Sequence, residues 1–140
     1  MRYREAAAIE SMFSELMRAP TQSFPKAHSS PNAPKKAGIY VIHGPRGTVL
    51  HVGRGCDIAQ RVREHLFHRT SFTTQYLSGK GSALRNRGHS FRYLVVSDAR
   101  NRALLEALAI GRLCPKHIGR GWVRPETGSA PARRHLISAF

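Results

Sequence analysis

Acidic residues are scarce in this sequence: eight Asp and Glu stand against 23 Lys and Arg, a formal net charge of +15 over 140 residues. So basic a chain suits a polyanionic partner, because each phosphate neutralised releases condensed counterions. Nucleic acid is the leading partner and an anionic membrane surface the rival. Cysteine is scarcer still. Cys56 and Cys114 lie far apart and neither belongs to a CxxC pair, which excludes a zinc knuckle and a disulfide framework and leaves two ordinary thiols. Long apolar runs are missing. Nothing approaches the roughly 20 residues that span a bilayer, and the first 20 residues mix Arg and Glu, unlike the apolar core of a signal peptide. A cytoplasmic protein is therefore expected. Neither GxSxG nor a phosphate-binding GxxxxGK[ST] loop occurs, so serine-triad ester hydrolysis and P-loop nucleotide hydrolysis have no support. No internal repeat is visible.

The length is that of one ordinary domain with extensions. Residues 1–36 hold six basic and three acidic residues, 37–118 thirteen and four, and 119–140 four and one. The middle segment carries most of the net charge and nearly all of the periodic pattern. The division expected is an N-terminal helix and Pro-rich linker over 1–36, a folded domain over 37–118 and a basic tail over 119–140. Near the N-terminus, Ile9, Met12, Phe13, Leu16 and Met17 fall at helical spacing with Glu5, Glu10 and Glu15 mostly off the stripe, which predicts a helix that docks on the core or on another subunit. Pro20, Pro25, Pro31 and Pro34 mark residues 19–36 as an extended linker.

The runs AGIYVIH and TVLHVG, joined through Gly44, Pro45 and Gly47, read as a β-hairpin. Alternation puts Tyr40 on one face with Ile42 and His51 on one face with Val49, each strand exposing one polar ring. Asp57 and Gln60 form a capping signature for a helix starting at 57 or 58, with Ile58, Val62 and Leu66 on its stripe. Arg61 and His65 are four apart and one position off that stripe, so both are expected at the boundary of the buried face, where a pocket wall belongs. A third strand, 91–97, precedes a helix capped by Ser97 or Asp98. From Ala103 to Ile110 that helix is apolar except for Glu106. A carboxylate in such surroundings must be paired with a cation, protonated or bound to a metal.

GIY at 38–40, HVG at 51–53, Arg61, and Glu106 in an apolar helix ending CPKHI together resemble the GIY-YIG nuclease superfamily over about residues 37 to 118. The resemblance implies an α/β (α+β) domain, a small three-stranded antiparallel sheet flanked by helices. It also implies an endonuclease that cuts phosphodiesters with one divalent cation, Mg2+ or Mn2+. On the matching positions, Arg61 stabilises the transferring phosphate, Glu106 holds the metal, Tyr40, His51 and His65 organise the water, and Arg54 contacts a phosphate. His51 stands where the superfamily usually has tyrosine, keeping a ring with a polar nitrogen. Ile118 stands where an asparagine is common, so either the enzyme manages without that amide or His117, next door, takes over. DNA is the expected substrate, with strandedness, RNA and oligomeric state left open. The competing readings are a catalytically inert nucleic-acid-binding relative and a nuclease toxin or effector.

The chemistry needs these residue types. Arg61 brings a planar fork of donors and a permanent charge to the non-bridging oxygens, and a hard cation on Glu106 takes oxygen ligands and keeps several waters. His65, titrating near neutrality, is a candidate base. The stretch 70–88 reads as a loop, and its Phe72, Tyr76, Lys80, Arg85 and Arg87 suit a groove that tracks a strand as well as a merely solvated surface. His65 and His68 are three apart but lack a third zinc ligand nearby. Trp122, between Arg120 and Arg124, suits base stacking or packing of the tail.

Overall fold

The computed structural model describes residues 2–26, 29–86 and 88–118. Arg87 and the segment 119–140 with Trp122 lie outside the described residues. The elements run α1 (Arg2–Arg18), β1 (Gln22–Ser23), β2 (Gly38–His43), β3 (Val49–Gly55), α2 (Ile58–Phe67), α3 (Ser71–Tyr76), β4 (Ser90–Val95) and α4 (Ala99–Leu113). All pairings are antiparallel, in the order β1-β4-β2-β3. The fold is thus the expected α+β arrangement, with one correction: the sheet has four strands, not three. The added strand comes from the Pro-rich stretch, where Gln22 and Ser23 pair with Phe91 and Ser90. Phe24 anchors it, buried with its ring 5.0 Å from that of Phe91.

β2 is central and buried on both faces, as its unbroken apolar run requires. On one face Tyr40 and Ile42 meet Ile58, Val62 and Leu66 of α2, Phe72 and Phe91. On the other, Ile39 and Val41 meet Ile9 and Leu16 of α1 and Leu105 and Ala109 of α4. Burying each of the Ile, Leu, Val and Phe side chains among them contributes about 1.5–3 kcal/mol. The stripe foreseen in α1 therefore docks on the core, and its off-stripe acids reach α4: Glu5 pairs with Arg100 at 2.7 Å and Glu10 pairs with Arg112.

Helix starts follow the sequence signals. Asp57 accepts from Gln60 N at 3.0 Å and Asp98 from Asn101 N at 2.8 Å. Two further backbone donors at the start of α2 are taken up from the preceding segment, Ile58 N by Lys36 O and Ala59 N by Pro34 O. A bulge corrects the expected strand alternation: Ile42 pairs with His51 and His43 with Val49, leaving Leu50 extra. Leu50 packs with the α2 face and Val49 with the α4 face, so Val49 and His51 do not share a side. The stretch 70–88 is likewise not a loop. It folds into α3 and a 3-10 turn over Gly81–Arg85. Among the described residues no helix is long and apolar enough to cross a membrane.

Candidate active site

β3 is an edge strand, and its glycines shape the site. Gly53 is opposite Tyr40 and Gly55 opposite Gly38, so on the α2 face the edge carries no side chain where Tyr40 and Arg61 lie. A Cβ at Gly53 would sit 2.3 Å from Tyr40 Oη, and one at Gly55 2.6 Å from Arg61 Cγ. Glycine at both positions is what lets the phenol and the arginine cross the strand.

Tyr40 is fully buried, and its oxygen is the hub of a polar chain. Oη lies 2.7 Å from His65 Nε2 and 3.4 Å from His51 Nε2. His51 Nδ1 is 2.9 Å from His117 Nδ1, and His117 Nε2 is 3.1 Å from Ser71 Oγ. Phe72 stacks on His51 with centroids 5.0 Å apart and planes at 16°. His117 arrives because α4 ends at Cys114, in a left-handed conformation (φ 46°), and the chain turns back along β3. There Lys116 N and His117 N donate to Val49 O and Leu50 O.

Burial sets the protonation of these rings. His65 is 1% exposed, and burial first, then Arg61 and His117, pushes its pKa down to about 3. Burial pushes His117 down to about 4. His51 is held well below its ordinary value by burial and then by the neighbouring His65 and His117. Burial raises the Tyr40 phenol against the opposing pull of Arg61. Three expectations are corrected here. The rings of Tyr40 and His51 are buried rather than exposed, because α2, α3 and the segment after α4 close over them. His65 sits in the interior rather than at its boundary, and it does not titrate near neutrality, because the surroundings penalise the imidazolium.

The charged residues gather at the strand edge. Arg61 pairs with Glu64 at 2.5 Å with about a third of each side chain exposed. Glu106 comes from α4, which packs on the opposite face, and meets Arg54 at 3.4 Å. Its carboxyl is raised by burial and pulled down by Arg54 and then Arg61, so its field reaches the Arg61 side of the strand. Tyr40, His51, Arg61 and His65 therefore lie on the α2 side of β3, and Glu106 lies on its α4 side beside Arg54. No group of three His, Cys, Asp or Glu residues arranged to hold a metal occurs among the described residues. One half-buried carboxylate still fits a hard divalent cation of the magnesium kind, which takes one or two carboxylates and fills its other positions with water and phosphate oxygens.

The other candidates fall elsewhere. Lys80 is exposed, and Arg85 is committed to the fold: its Nε donates to Pro25 O at 2.9 Å and its guanidinium lies 5.1 Å from the Phe67 ring centroid. Phe72 is core, so its ring is not presented to a strand, and the partly exposed Tyr76 donates its hydroxyl to Lys116 O. His68 is exposed and both cysteines are free and exposed. Sequence reasoning missed Glu64, Thr70 and Ser71. The one available signal was the position of Glu64 three residues after Arg61 on the same helix.

No protein-family model matches the chain. Curated relatives do: it is 29% identical over 86 residues to the UvrABC system protein C of Bacteroides fragilis, covering 61% of this chain and 13% of that protein. It is 31% identical over 90 residues to the same protein of Pseudothermotoga lettingae, covering 64% and 15%. The chain thus spans less than a sixth of the length of these relatives. Among solved structures it is similar to the GIY-YIG N-terminal endonuclease domain of UvrC from Thermotoga maritima bound to magnesium, with 23% identity and a TM-score of 0.48 over 63% of this chain and 89% of that one. A point mutant of the same domain gives 24% and 0.49 over 64% and 89%. The sequence likeness to UvrC bears out the resemblance to the GIY-YIG nuclease superfamily.

Proposed function

We propose that this chain is a metal-dependent endonuclease that hydrolyses phosphodiester bonds in DNA. The observation that carries the reading is the placement of Arg61 and the Tyr40–His51–His65 cluster on the glycine-lined side of β3, with the Arg54–Glu106 pair on its other side. The same three kinds of group are what in-line attack on a phosphate needs: neutralising charge, a cation ligand and an acceptor for the nucleophilic water. The reading is supported by the likeness to UvrC, by the magnesium bound in the Thermotoga maritima domain and by a net charge of +15.

Glu106 would hold the cation, Mg2+ or Mn2+, which supplies charge neutralisation on the phosphate and a more acidic water. Arg61 exchanges Glu64 for a non-bridging phosphate oxygen, where its fork of donors suits the developing charge. Arg54 balances Glu106 and offers its exposed side to a neighbouring phosphate. Tyr40 orients the water, whose oxygen bonds to phosphorus and releases a proton to solvent as the ester P–O bond breaks and the departing oxygen takes a proton from solvent. The buried histidines and Phe72 hold the phenol in place. Residues 37–118 would be the catalytic domain, acting on DNA in the cytoplasm.

Two observations favour the second reading, a module that binds nucleic acid without cutting it: Tyr40 is fully buried and Arg61 is engaged by Glu64. Labelled single- and double-stranded DNA, incubated with the protein in Mg2+, Mn2+ or chelator, separates the two. Metal-dependent cleavage that disappears in Arg61→Ala supports the enzyme, and metal-independent binding with no cleavage supports the module.

A further inference from the structure

Thr70 caps α3 and touches the candidate site with the same oxygen. Its Oγ1 accepts from Thr73 N at 3.2 Å, lies 2.8 Å from His65 Nδ1 and lies 3.3 Å from Thr73 Oγ1. The Thr73 hydroxyl hydrogen goes to Thr70 O at 3.1 Å. From Thr70 the polar chain continues through His65, Tyr40, His51 and His117 to Ser71. Each neutral histidine in it has one N–H and one bare nitrogen, and the phenol has one hydrogen. Arg61, which can only donate, lies against Gly55, the next glycine along the strand face from the one that meets the phenol oxygen.

Two assignments complete such a chain. In the first the hydrogens run from Ser71 toward Thr70: His117 gives to His51, His51 to Tyr40, Tyr40 to His65, His65 to Thr70, and Thr70 to Thr73. In the second every direction is reversed. The two contacts of the phenol select the first, because its single hydrogen goes to the nearer nitrogen, His65 Nε2 at 2.7 Å against His51 Nε2 at 3.4 Å, while the 2.8 Å His65–Thr70 and 3.1 Å His117–Ser71 contacts fit either order. Phenol is also the stronger acid and the bare imidazole nitrogen the better acceptor. The reverse order would send the phenol hydrogen across 3.4 Å to His51 and leave the 3.3 Å Thr70–Thr73 contact without a hydrogen.

We infer that Thr70 is a positioning residue for Tyr40: the capping box of α3 fixes His65 as its Nδ1–H tautomer, His65 Nε2 holds the phenol hydrogen, and Tyr40 turns its lone pairs toward Arg61 and His51. The use made of that orientation rests on the hydrolytic reading above. When a phosphate draws Arg61 away, the lone pair it leaves accepts a hydrogen bond from the attacking water. Tyr40 then acts as an acceptor for water and not as a donor to the phosphate. The burial that keeps His65 neutral agrees with a fixed tautomer.

The tautomer is read directly from long-range 15N–1H spectra of the histidine rings in labelled protein, with chelator and without DNA. The wild type is expected to show His65 with a pyrrole-like Nδ1 and a pyridine-like Nε2. Thr70→Val should move it toward the Nε2–H form and Thr70→Ser should restore the wild-type pattern. In the cleavage assay Thr70→Val should lower kcat about ten- to a hundredfold at unchanged KM, with recovery in Thr70→Ser. A wild-type His65 in the Nε2–H form overturns the assignment, and an unmoved tautomer in Thr70→Val overturns the part given to Thr70. Should no condition give cleavage, the hydrolytic reading alone falls, because the spectra decide the tautomer without it.

Discussion

Gly53 lies so close beneath Tyr40 that a Cβ at residue 53 would stand 2.3 Å from the phenol oxygen and 2.4 Å from Cζ. Tyr40 has nowhere to go, since it is fully buried between His51 and His65. Gly53→Ala should therefore lower stability by about 1–3 kcal/mol, the usual effect of overpacking, and abolish cleavage. Gly55→Ala meets only the Arg61 side chain, which is partly exposed and able to swing. It should change stability by less than about 0.5 kcal/mol while still reducing cleavage. Gly111→Ala, in α4 with no atom within 4 Å of the added carbon, should stabilise by about 0.5–1 kcal/mol. Urea unfolding of the three variants checks the ranking.

Acid should unfold this protein early. In the folded state His65 takes a proton only near about 3 and His117 near about 4, with His51 also held low, against 6.5 in an unfolded chain. Below 6.5 the unfolded state binds more protons, so stability is full above that pH and is lost as pH falls. Each histidine contributes about 1.4 kcal/mol per pH unit in that window. Urea midpoints measured from pH 7.5 to 5 should fall steeply, and a flat profile would contradict three neutral buried rings.

Glu106→Gln tests whether the carboxylate serves the fold or the chemistry. Its partner Arg54 is half exposed, so the ion pair contributes no more than about 1 kcal/mol, and burial already disfavours the charged form. In chelator the Gln variant should melt within a few degrees of the wild type or above it. With Mg2+ the wild type should gain stability by mass action and the variant should not. Loss of stability in chelator would mark Glu106 as a structural ion-pair member.

Binding to DNA should weaken with salt. The counterion-release slope is about −0.9 per phosphate contact on duplex and about −0.7 on single strands. Titrations between low and physiological salt give the number of contacts, and a flat response would point away from a polyanion.

Much of the frame was legible because it follows short-range rules. The hairpin followed from alternating apolar runs around a Gly/Pro turn, α2 and α4 from the caps Asp57 and Asp98, and the docking face of α1 from its stripe. Glu106 stood out as one carboxylate in an apolar helix. What escaped depends on tertiary contact. Gln22 and Ser23 have no strand pattern of their own and pair because Phe24 packs on Phe91. The extra residue Leu50 shifts alternation only once β2 sets the register. The Thr70–Thr73 capping box uses threonine where glutamate or glutamine gives the usual signal, and α3 was missed with it. The low pKa of His65 needs rings from β3, α3 and the segment after α4 to close over it, which no local spacing announces.

The central claim is that one strand edge joins Arg61 and Glu106 over a phosphate and cuts it. Single-turnover cleavage of end-labelled DNA by excess protein, in Mg2+ and in chelator, measures this for the wild type, Arg61→Ala and Glu106→Gln. The account predicts cutting by the wild type in Mg2+ alone and a fall of at least about a hundredfold in each variant, with both variants folded and still bound to DNA. Cutting at the wild-type rate by either variant, or none by the wild type in Mg2+, would contradict it.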